Sequence, residues 1–191
     1  MPHGMSHELP HELPHEKPQE LPHGMSHELP QELPHGADRV RDDAARRSIP
    51  IDIVERPRAE SLQQAAELLG ITPAEIVKSL VVKRSDGSYL FALVPGDRQI
   101  SWPKLRAVVG VNKLRMPEAD LALEATGFAR GTITPLGSST AWPVFADARI
   151  AGKRVSMGSG DHGYSAWVDS DDLIRGLDAT VADITTEGTT N

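Results

Sequence analysis

The chain has 191 residues, no cysteine, a formal net charge of −7 and 39% hydrophobic residues. That length suits one domain with an extension, and the missing cysteines exclude disulfides and thiolate metal sites, a usage expected of a cytoplasmic protein. No run of 18 apolar residues is present and the start is polar and proline-rich, so neither a membrane span nor a signal peptide is expected.

The acidity is unevenly spread. Residues 1–36 hold six glutamates and one lysine, whereas the other 155 residues carry 19 basic and 21 acidic side chains. The folded part is therefore close to neutral, and contact with nucleic acid has to come from a local patch. Residues 1–36 form a tetrapeptide repeat (HELP, QELP, HGMS) holding seven of the eight histidines and seven of the fifteen prolines. A proline at every fourth residue removes helical donors and clashes with the preceding turn, so extended or disordered chain is expected. Its clustered imidazoles offer weak transition-metal binding. The other reading is a low-complexity extension upstream of the true start, since Met5 and Met25 are in frame. Residues 37–48 read as a charged linker containing a short helix, 49–186 as the domain and 187–191 as a short tail.

Within the domain, "IPIDIV" reads as a first strand. "AESLQQAAELLG" puts Leu62, Ala65, Ala66 and Leu69 on one helical stripe ending at Gly70. "TPAEI" carries a capping-box pattern at Thr72, Pro73 and Glu75. "VKSLVVKR", a turn at Asp86-Gly87 and "SYLFALVP" read as a hairpin. A helix over "SWPKLRAVVG", a strand over "VNKLRM" and a helix over "PEADLALEATG" follow. "WPVFAD", "KRVSM" and "YSAWV" read as strands, "DSDDLIRGL" as a capped helix and "ATVADI" as a closing strand. This mixed order predicts an α+β (mixed α/β) fold rather than a doubly wound unit.

Three stretches could carry chemistry. Alternation in "IVKSLVV" places Ile76, Lys78, Leu80 and Val82 on one face and Val77, Ser79 and Val81 on the other. Lys78 is then either a solvated or snorkelling edge lysine or a cation that binds a carbonyl, carboxylate or phosphate. "TGFARGTITPLGSS" is too glycine-rich for a plain strand. It reads equally as a tight structural loop or as a source of backbone donors for an oxyanion. "SMGSGDHGYS" holds Asp161 and His162, the one histidine of the domain. It lacks the ending of a phosphate loop, and neighbouring residues of a turn rarely converge as a triad, so a solvated turn histidine is the simpler reading. No metal-ligand spacing is found in the domain. Arg98, Lys104, Arg106, Lys113 and Arg115, with Trp102 among them, form an uninterrupted basic stretch. They suit either tRNA phosphates and a stacked base or the solvated face of a helix.

In this order and spacing, these stretches resemble the YbaK-like domain of free-standing bacterial aminoacyl-tRNA deacylases and of the editing insert in bacterial prolyl-tRNA synthetases. "LGITPAEIVKSLVV", "LFALVPGDRQISWPKLRAVVG", "TGFARGTITPLG" and "VSMGSGDHGYSAWV" carry the resemblance, which runs from about Ile51 to Ile184. It implies a bent mixed sheet with flanking helices around a small pocket. The implied activity is hydrolysis of a small, wrongly attached amino acid from tRNA, with tRNA(Pro) the expected acceptor and prolyl-tRNA synthetase a possible partner. On the resemblance, Lys78 is the pocket lysine, set down as the catalytic residue in the sense of a binding and orienting cation. Ser79, Gly131, Thr132, Ile133, Thr134, Gly158, Ser159 and Gly160 are the substrate-binding residues, and no cofactor or metal is implied. The basic residues Arg98, Lys104, Arg106, Lys113 and Arg115 are the candidate tRNA contacts. Gly158 and Ser165 stand where the cysteine-specific branch carries a serine and an aspartate, so the amino acid removed stays open. So do the roles of Asp161 and His162. A non-catalytic tRNA- or nucleotide-binding module of the same fold is the alternative.

Overall fold

A computed structural model describes residues 35–188. Residues 1–34 and 189–191 lie outside the described residues, and with them the expected disorder and metal binding of the repeat. In chain order the elements are α1 (His35–Arg46), β1 (Ile51–Glu55), α2 (Leu62–Leu69), a 3₁₀ turn (Pro73–Glu75), β2 (Ile76–Arg84), β3 (Tyr89–Pro95) and β4 (Arg98–Ile100). They continue with α3 (Trp102–Val109), β5 (Leu114–Arg115), α4 (Ala119–Thr126), β6 (Val144–Asp147), a 3₁₀ turn (Ala148–Ile150), β7 (Arg154–Met157) and β8 (Tyr164–Asp169). The last are α5 (Ser170–Gly176), β9 (Thr180–Ala182) and β10 (Thr185–Glu187).

Local chemistry sets these boundaries. The Ser61 hydroxyl accepts from Gln64 N at the start of α2, and Gly70 closes the helix in the left-handed region at φ 70°, as its sequence led us to expect. In the expected capping box, Thr72 N donates to the Glu75 carboxylate at 2.8 Å. The β2–β3 hairpin turns at Asp86-Gly87, where Asp86 accepts from Ser88 N at 2.9 Å.

The main sheet is mixed, in the order β1-β8-β7-β2-β3-β6-β9, with β5 also paired to β2; β10 and β4 form a separate two-stranded sheet. β2 is antiparallel to β3 and parallel to β7, and β3 is parallel to β6. β3 is buried on both faces, which is why "YLFALVP" reads as a continuous apolar run. On one face Phe91, Leu93, Val77 and Val81 pack with Val40 and Ala44 of α1, Ala122 of α4 and Leu173 of α5. On the other, Leu90, Ala92, Val94 and Val82 pack with Leu105 of α3, Ile100 of β4 and Ile184. The fold is the expected α+β arrangement of a mixed sheet between helices.

Three details differ from the sequence reading. The "linker" of residues 37–48 is mostly helix α1, and Ala37, Val40 and Ala44 are fully buried. The domain therefore starts well before Ile49; the charged residues of this helix masked its apolar stripe, and two of them, Arg39 and Asp43, turn inward to bond the loops. The strand expected over "VNKLRM" shrinks to Leu114–Arg115, because Pro117 has no N–H to extend a ladder. Strands β4 and β10 were not anticipated, being three residues each and recognisable only through their pairing.

Candidate active site

β2 has a complete neighbour on one side only. β3 pairs with it from Val77 to Lys83. On the other side, β7 reaches Ile76 and Val77, and β5 reaches Lys83 and Arg84. Between those short pairings the sheet is split, and a cleft of about 760 Å³ lies against the split. One wall is β2 itself, and a second is α2 with Leu62, Ala65 and Leu69. Met116, Pro117 and Ala122 approach from the α4 side, Gly131 and Ile133 from the first glycine loop, and Ser156, Gly158 and Ser159 from the second.

Six of the nine residues expected in a pocket line this cleft: Lys78, Ser79, Gly131, Ile133, Gly158 and Ser159. The alternation read from sequence holds, since Val77 and Val81 enter one core and Leu80 and Val82 the other. Lys78 thus borders the split from the β4 side, where its ammonium donates to the carbonyl of Arg98. Burial lowers its pKa from the usual lysine value, and Asp97 opposes that shift. The Ser79 hydroxyl is buried and has no hydrogen-bond partner among the described residues. Gly158 lies so close to the neighbouring loop that a Cβ there would stand 2.5 Å from the carbonyl oxygen of Ile133; the two glycine loops meet at this contact. Ser159 uses its hydroxyl within its own loop, 2.9 Å from the carbonyl of Asp161 and 3.0 Å from that of Tyr164.

The other three expected residues do not line the cleft. Thr132 and Thr134 are buried, their hydroxyls bonded to Ala129 O and Leu136 N within the loop. Gly160 packs on α1, where a Cβ would stand 2.5 Å from the carbonyl oxygen of Gly36. These residues shape the loops and do not face a ligand in the cleft. Asp161 has a structural role, its carboxylate accepting from Ala37 N at 2.7 Å at the start of α1. His162 is exposed in a separate hollow with His35 and Arg39, so Asp161 and His162 do not converge with a serine as a triad.

The basic stretch is divided. Arg98 donates to the Thr185 hydroxyl at 2.7 Å, and Lys104 pairs with Asp183 at 2.9 Å, so both are committed to holding β10. Arg106, Lys113 and Arg115 have no ion-pair partner among the described residues, and Arg115 immediately precedes cleft residue Met116. Two cations of the cleft were missed in the sequence. Arg56, half-buried, donates to the Ser165 hydroxyl at 2.5 Å and to Pro57 O at 3.0 Å. Arg130 is exposed in the first glycine loop. Arg130 was legible as a lone cation inside that loop; Arg56 follows a strand end and carries no local signal. With Lys78, three cations face the cleft against two exposed carboxylates, Glu60 and Glu118. Among the described residues no three His, Asp or Glu side chains are grouped as a metal site.

Known proteins share the sequence pattern and the fold of this chain. Residues 56–175 match the family model of the aminoacyl-tRNA editing domain. A proline–tRNA ligase of Thermosipho africanus is 40% identical over 101 residues, 53% of this chain and 18% of that protein. The corresponding ligase of Thermotoga maritima is 34% identical over 88 residues, 46% of this chain and 15% of that protein. The chain thus spans less than a fifth of these relatives' length. A crystal structure of a proposed trans-editing enzyme for prolyl tRNA synthetase superposes with a TM-score of 0.75 at 28% identity, covering 81% of this chain and 99% of that one. The hypothetical protein APE2540, at 24% identity and a TM-score of 0.72 over 78% of this chain and 99% of that one, shares the fold. The chain belongs to the aminoacyl-tRNA editing domain family.

Proposed function

We propose that this protein is a trans-acting deacylase that hydrolyses the ester between a small, wrongly attached amino acid and the 3′-terminal ribose of tRNA, with tRNA(Pro) as the acceptor. The observation that carries this reading is the cleft at the split in the sheet, whose lining includes three cations and the incompletely paired edge of β2. Its volume of about 760 Å³ suits a nucleoside bearing an aminoacyl group rather than a free small amino acid. Arg56, Lys78 and Arg130 supply positive charge for the terminal phosphate and the polarised ester. Lys78 is a binding and orienting cation. A backbone carbonyl already positions its ammonium, and among the described residues no carboxylate stands within ion-pair distance of it, Asp97 acting only from farther away.

The chemistry asks little of the side chains. An aminoacyl ester is activated, so a positioned water, placement of the substrate and donors for the tetrahedral oxyanion suffice. The vicinal ribose hydroxyl carries the proton between water and leaving oxygen, and no protein nucleophile is required. Arg115 and Lys113, at the same end of the cleft as Met116, extend a path for the tRNA backbone. Similarity to a segment of proline–tRNA ligases supports tRNA(Pro) as the acceptor and prolyl-tRNA synthetase as the source of the error. The test is deacylation of tRNA(Pro) charged with alanine, cysteine, serine or threonine. Turnover of at least one supports the reading. Unchanged ester half-lives on all four, with binding of tRNA retained, would replace the deacylase by a binding module.

A further inference from the structure

The split in the sheet has a definite hydrogen-bonding phase. Gly96 N donates to Ile76 O, and Arg84 N donates to Ser88 O. Both bonds fit the antiparallel β2–β3 register, in which Val77 faces Pro95 and Lys83 faces Tyr89. Residues that exchange hydrogen bonds with the partner strand alternate along an antiparallel pair. Ile76, Lys78, Leu80, Val82 and Arg84 therefore turn their N–H and C=O groups toward β3. Ser79 and Val81 turn theirs the other way, into the cleft that both residues line.

The neighbouring strands do not satisfy these groups. Continuing the β5 register, in which Lys83 faces Arg115, would set Val81 opposite Pro117, which has no N–H. Continuing β7, in which Val77 faces Met157, would set Ser79 opposite Ser159, whose loop instead turns back on itself through the Ser159 hydroxyl. Among the described residues, the gap-facing N–H and C=O groups of Ser79 and Val81 have no partner outside the strands. The buried hydroxyl of Ser79 beside them is unpartnered as well. Two donors, two acceptors and a hydroxyl thus converge on a gap two residues long, framed by Gly158 and Pro117. A strand edge left unpaired between two paired stretches offers its N–H and C=O groups to whatever enters beside it, so this edge is open to completion by a ligand in the cleft.

We infer that this edge is the seat of the substrate's aminoacyl group, which binds as a single residue of β-strand. Its α-ammonium donates to a free carbonyl of Ser79 or Val81, and its ester carbonyl oxygen accepts from a free N–H of the same edge. During hydrolysis, water adds to the ester carbon and the carbonyl electron pair moves onto that oxygen, where the edge N–H is already aimed. Collapse then breaks the bond to the ribose oxygen, which leaves with the electron pair and takes the proton lost by the water. The inference rests on the deacylase reading for its substrate and adds a requirement of its own, a free α-amino group. Side-chain size is read elsewhere in the cleft, so the edge selects aminoacyl over other acyl groups.

The test separates the two claims. Amide-linked, hydrolysis-resistant analogues of the tRNA acceptor end are prepared with alanyl, lactyl and N-acetylalanyl groups. Their Kd values for the full chain are measured by fluorescence titration, alongside turnover of the matching esters relative to spontaneous hydrolysis. A charge-assisted hydrogen bond to a buried carbonyl predicts that the lactyl and N-acetylalanyl analogues bind roughly tenfold or more weakly than the alanyl one. Equal Kd values for the three overturn the inference, whether or not the esters turn over. A tenfold preference without turnover of any ester keeps this site and overturns the deacylase reading. Turnover without preference does the reverse.

Discussion

Ser79 and Lys78 are neighbours on β2 whose side chains leave opposite faces of the strand. The Ser79 hydroxyl is buried without a partner, a state that costs on the order of 1–3 kcal/mol when nothing completes it. Replacing it with alanine removes the orphan at almost no cost in packing. Ser79→Ala is therefore expected to raise Tm and to weaken binding of an aminoacylated acceptor end, a trade between stability and function. Paired thermal melts and titrations check it; a lower Tm would mean that the hydroxyl is satisfied. Lys78 tests differently. Its ammonium loses water on burial, which lowers its pKa, with Asp97 acting against that shift. A cation whose folded pKa is depressed is disfavoured in the folded state while it is charged. That penalty operates below the folded pKa and is relieved as pH rises through it toward the unfolded value. If Lys78 binds substrate as a cation, catalysis above the spontaneous rate falls along an alkaline limb below a normal lysine pKa. Lys78→Arg, which stays charged, should move that limb to higher pH, and Lys78→Ala should lower activity at every pH. An unmoved limb in Lys78→Arg would assign it to another group.

At the scale of elements, α1 is a clamp across the loops that form the cleft. Arg39 donates to Thr126 O and Gly127 O, each at 3.2 Å, and to Gly137 O, and its guanidinium lies 4.4 Å from the centre of the Phe128 ring. One turn on, Asp43 accepts from Gly137 N at 2.8 Å, and at the helix start Ala37 N is held by Asp161 of the second loop. Arg39→Met keeps much of the packing on Phe128 but leaves three carbonyls without their donor. It should destabilise the fold by about 2–3 kcal/mol and lower kcat on the order of tenfold with KM nearly unchanged, because the loop is displaced more than the strand edge. Denaturant titration and steady-state deacylation check both parts, and an unchanged kcat would confine Arg39 to stability. A chain starting at Ile49 loses the clamp and three fully buried side chains and is expected not to fold. None of this was visible in "ADRVRDDAARR", where charge dominates and the partners lie some 90 residues away. The hairpin, the capped helices and the two glycine loops were legible because their signals are local: alternation, Ser61 and Gly70 at the ends of α2, Asp86-Gly87 at a turn. Thr132, Thr134 and Gly160, expected in the pocket, stand off the cleft in these loops for the same reason. The sequence marks a loop as special without telling which of its residues face inward.

Across the whole molecule, the two core layers are joined at one buried carboxylate. Asp147, at the end of β6 and fully buried, accepts from Thr185 Oγ1 at 2.8 Å, Ile184 N at 3.1 Å and Arg149 N at 3.0 Å. Arg149 continues to Asp183 at 3.0 Å, and Asp183 to Lys104 of α3 at 2.9 Å. This chain fixes residues 183–185, hence β10, hence its partner β4, whose Arg98 carbonyl holds the Lys78 ammonium. The C-terminal strand thus supports the cleft without lining it. Burial alone would raise the pKa of Asp147, but the hydrogen bonds from Arg149, Ile184 and Thr185 outweigh it and hold the carboxyl below its usual range. Asp183, exposed between Lys104 and Arg149, is lowered to about 2 by the same kind of bonds. For a carboxyl with a depressed folded pKa, the stabilisation is present above the unfolded value, near 3.9, and is lost as pH falls through the folded one. Asp147→Asn replaces an acceptor by an amide facing donors and should cost about 2–3 kcal/mol at pH 7. The gap to the unsubstituted protein should narrow progressively below about pH 4, as protonation removes the same bonds from the native carboxylate. Denaturant titrations of both proteins at pH 7, 4 and 3 decide the matter. A gap as wide at pH 3 as at pH 7 would show that the loss comes from packing around the amide and not from the charge. Because β10 holds β4, the same substitution should also free the Arg98 carbonyl from its fixed place. Substrate binding should then weaken even at pH 7, with every residue of the cleft still in place.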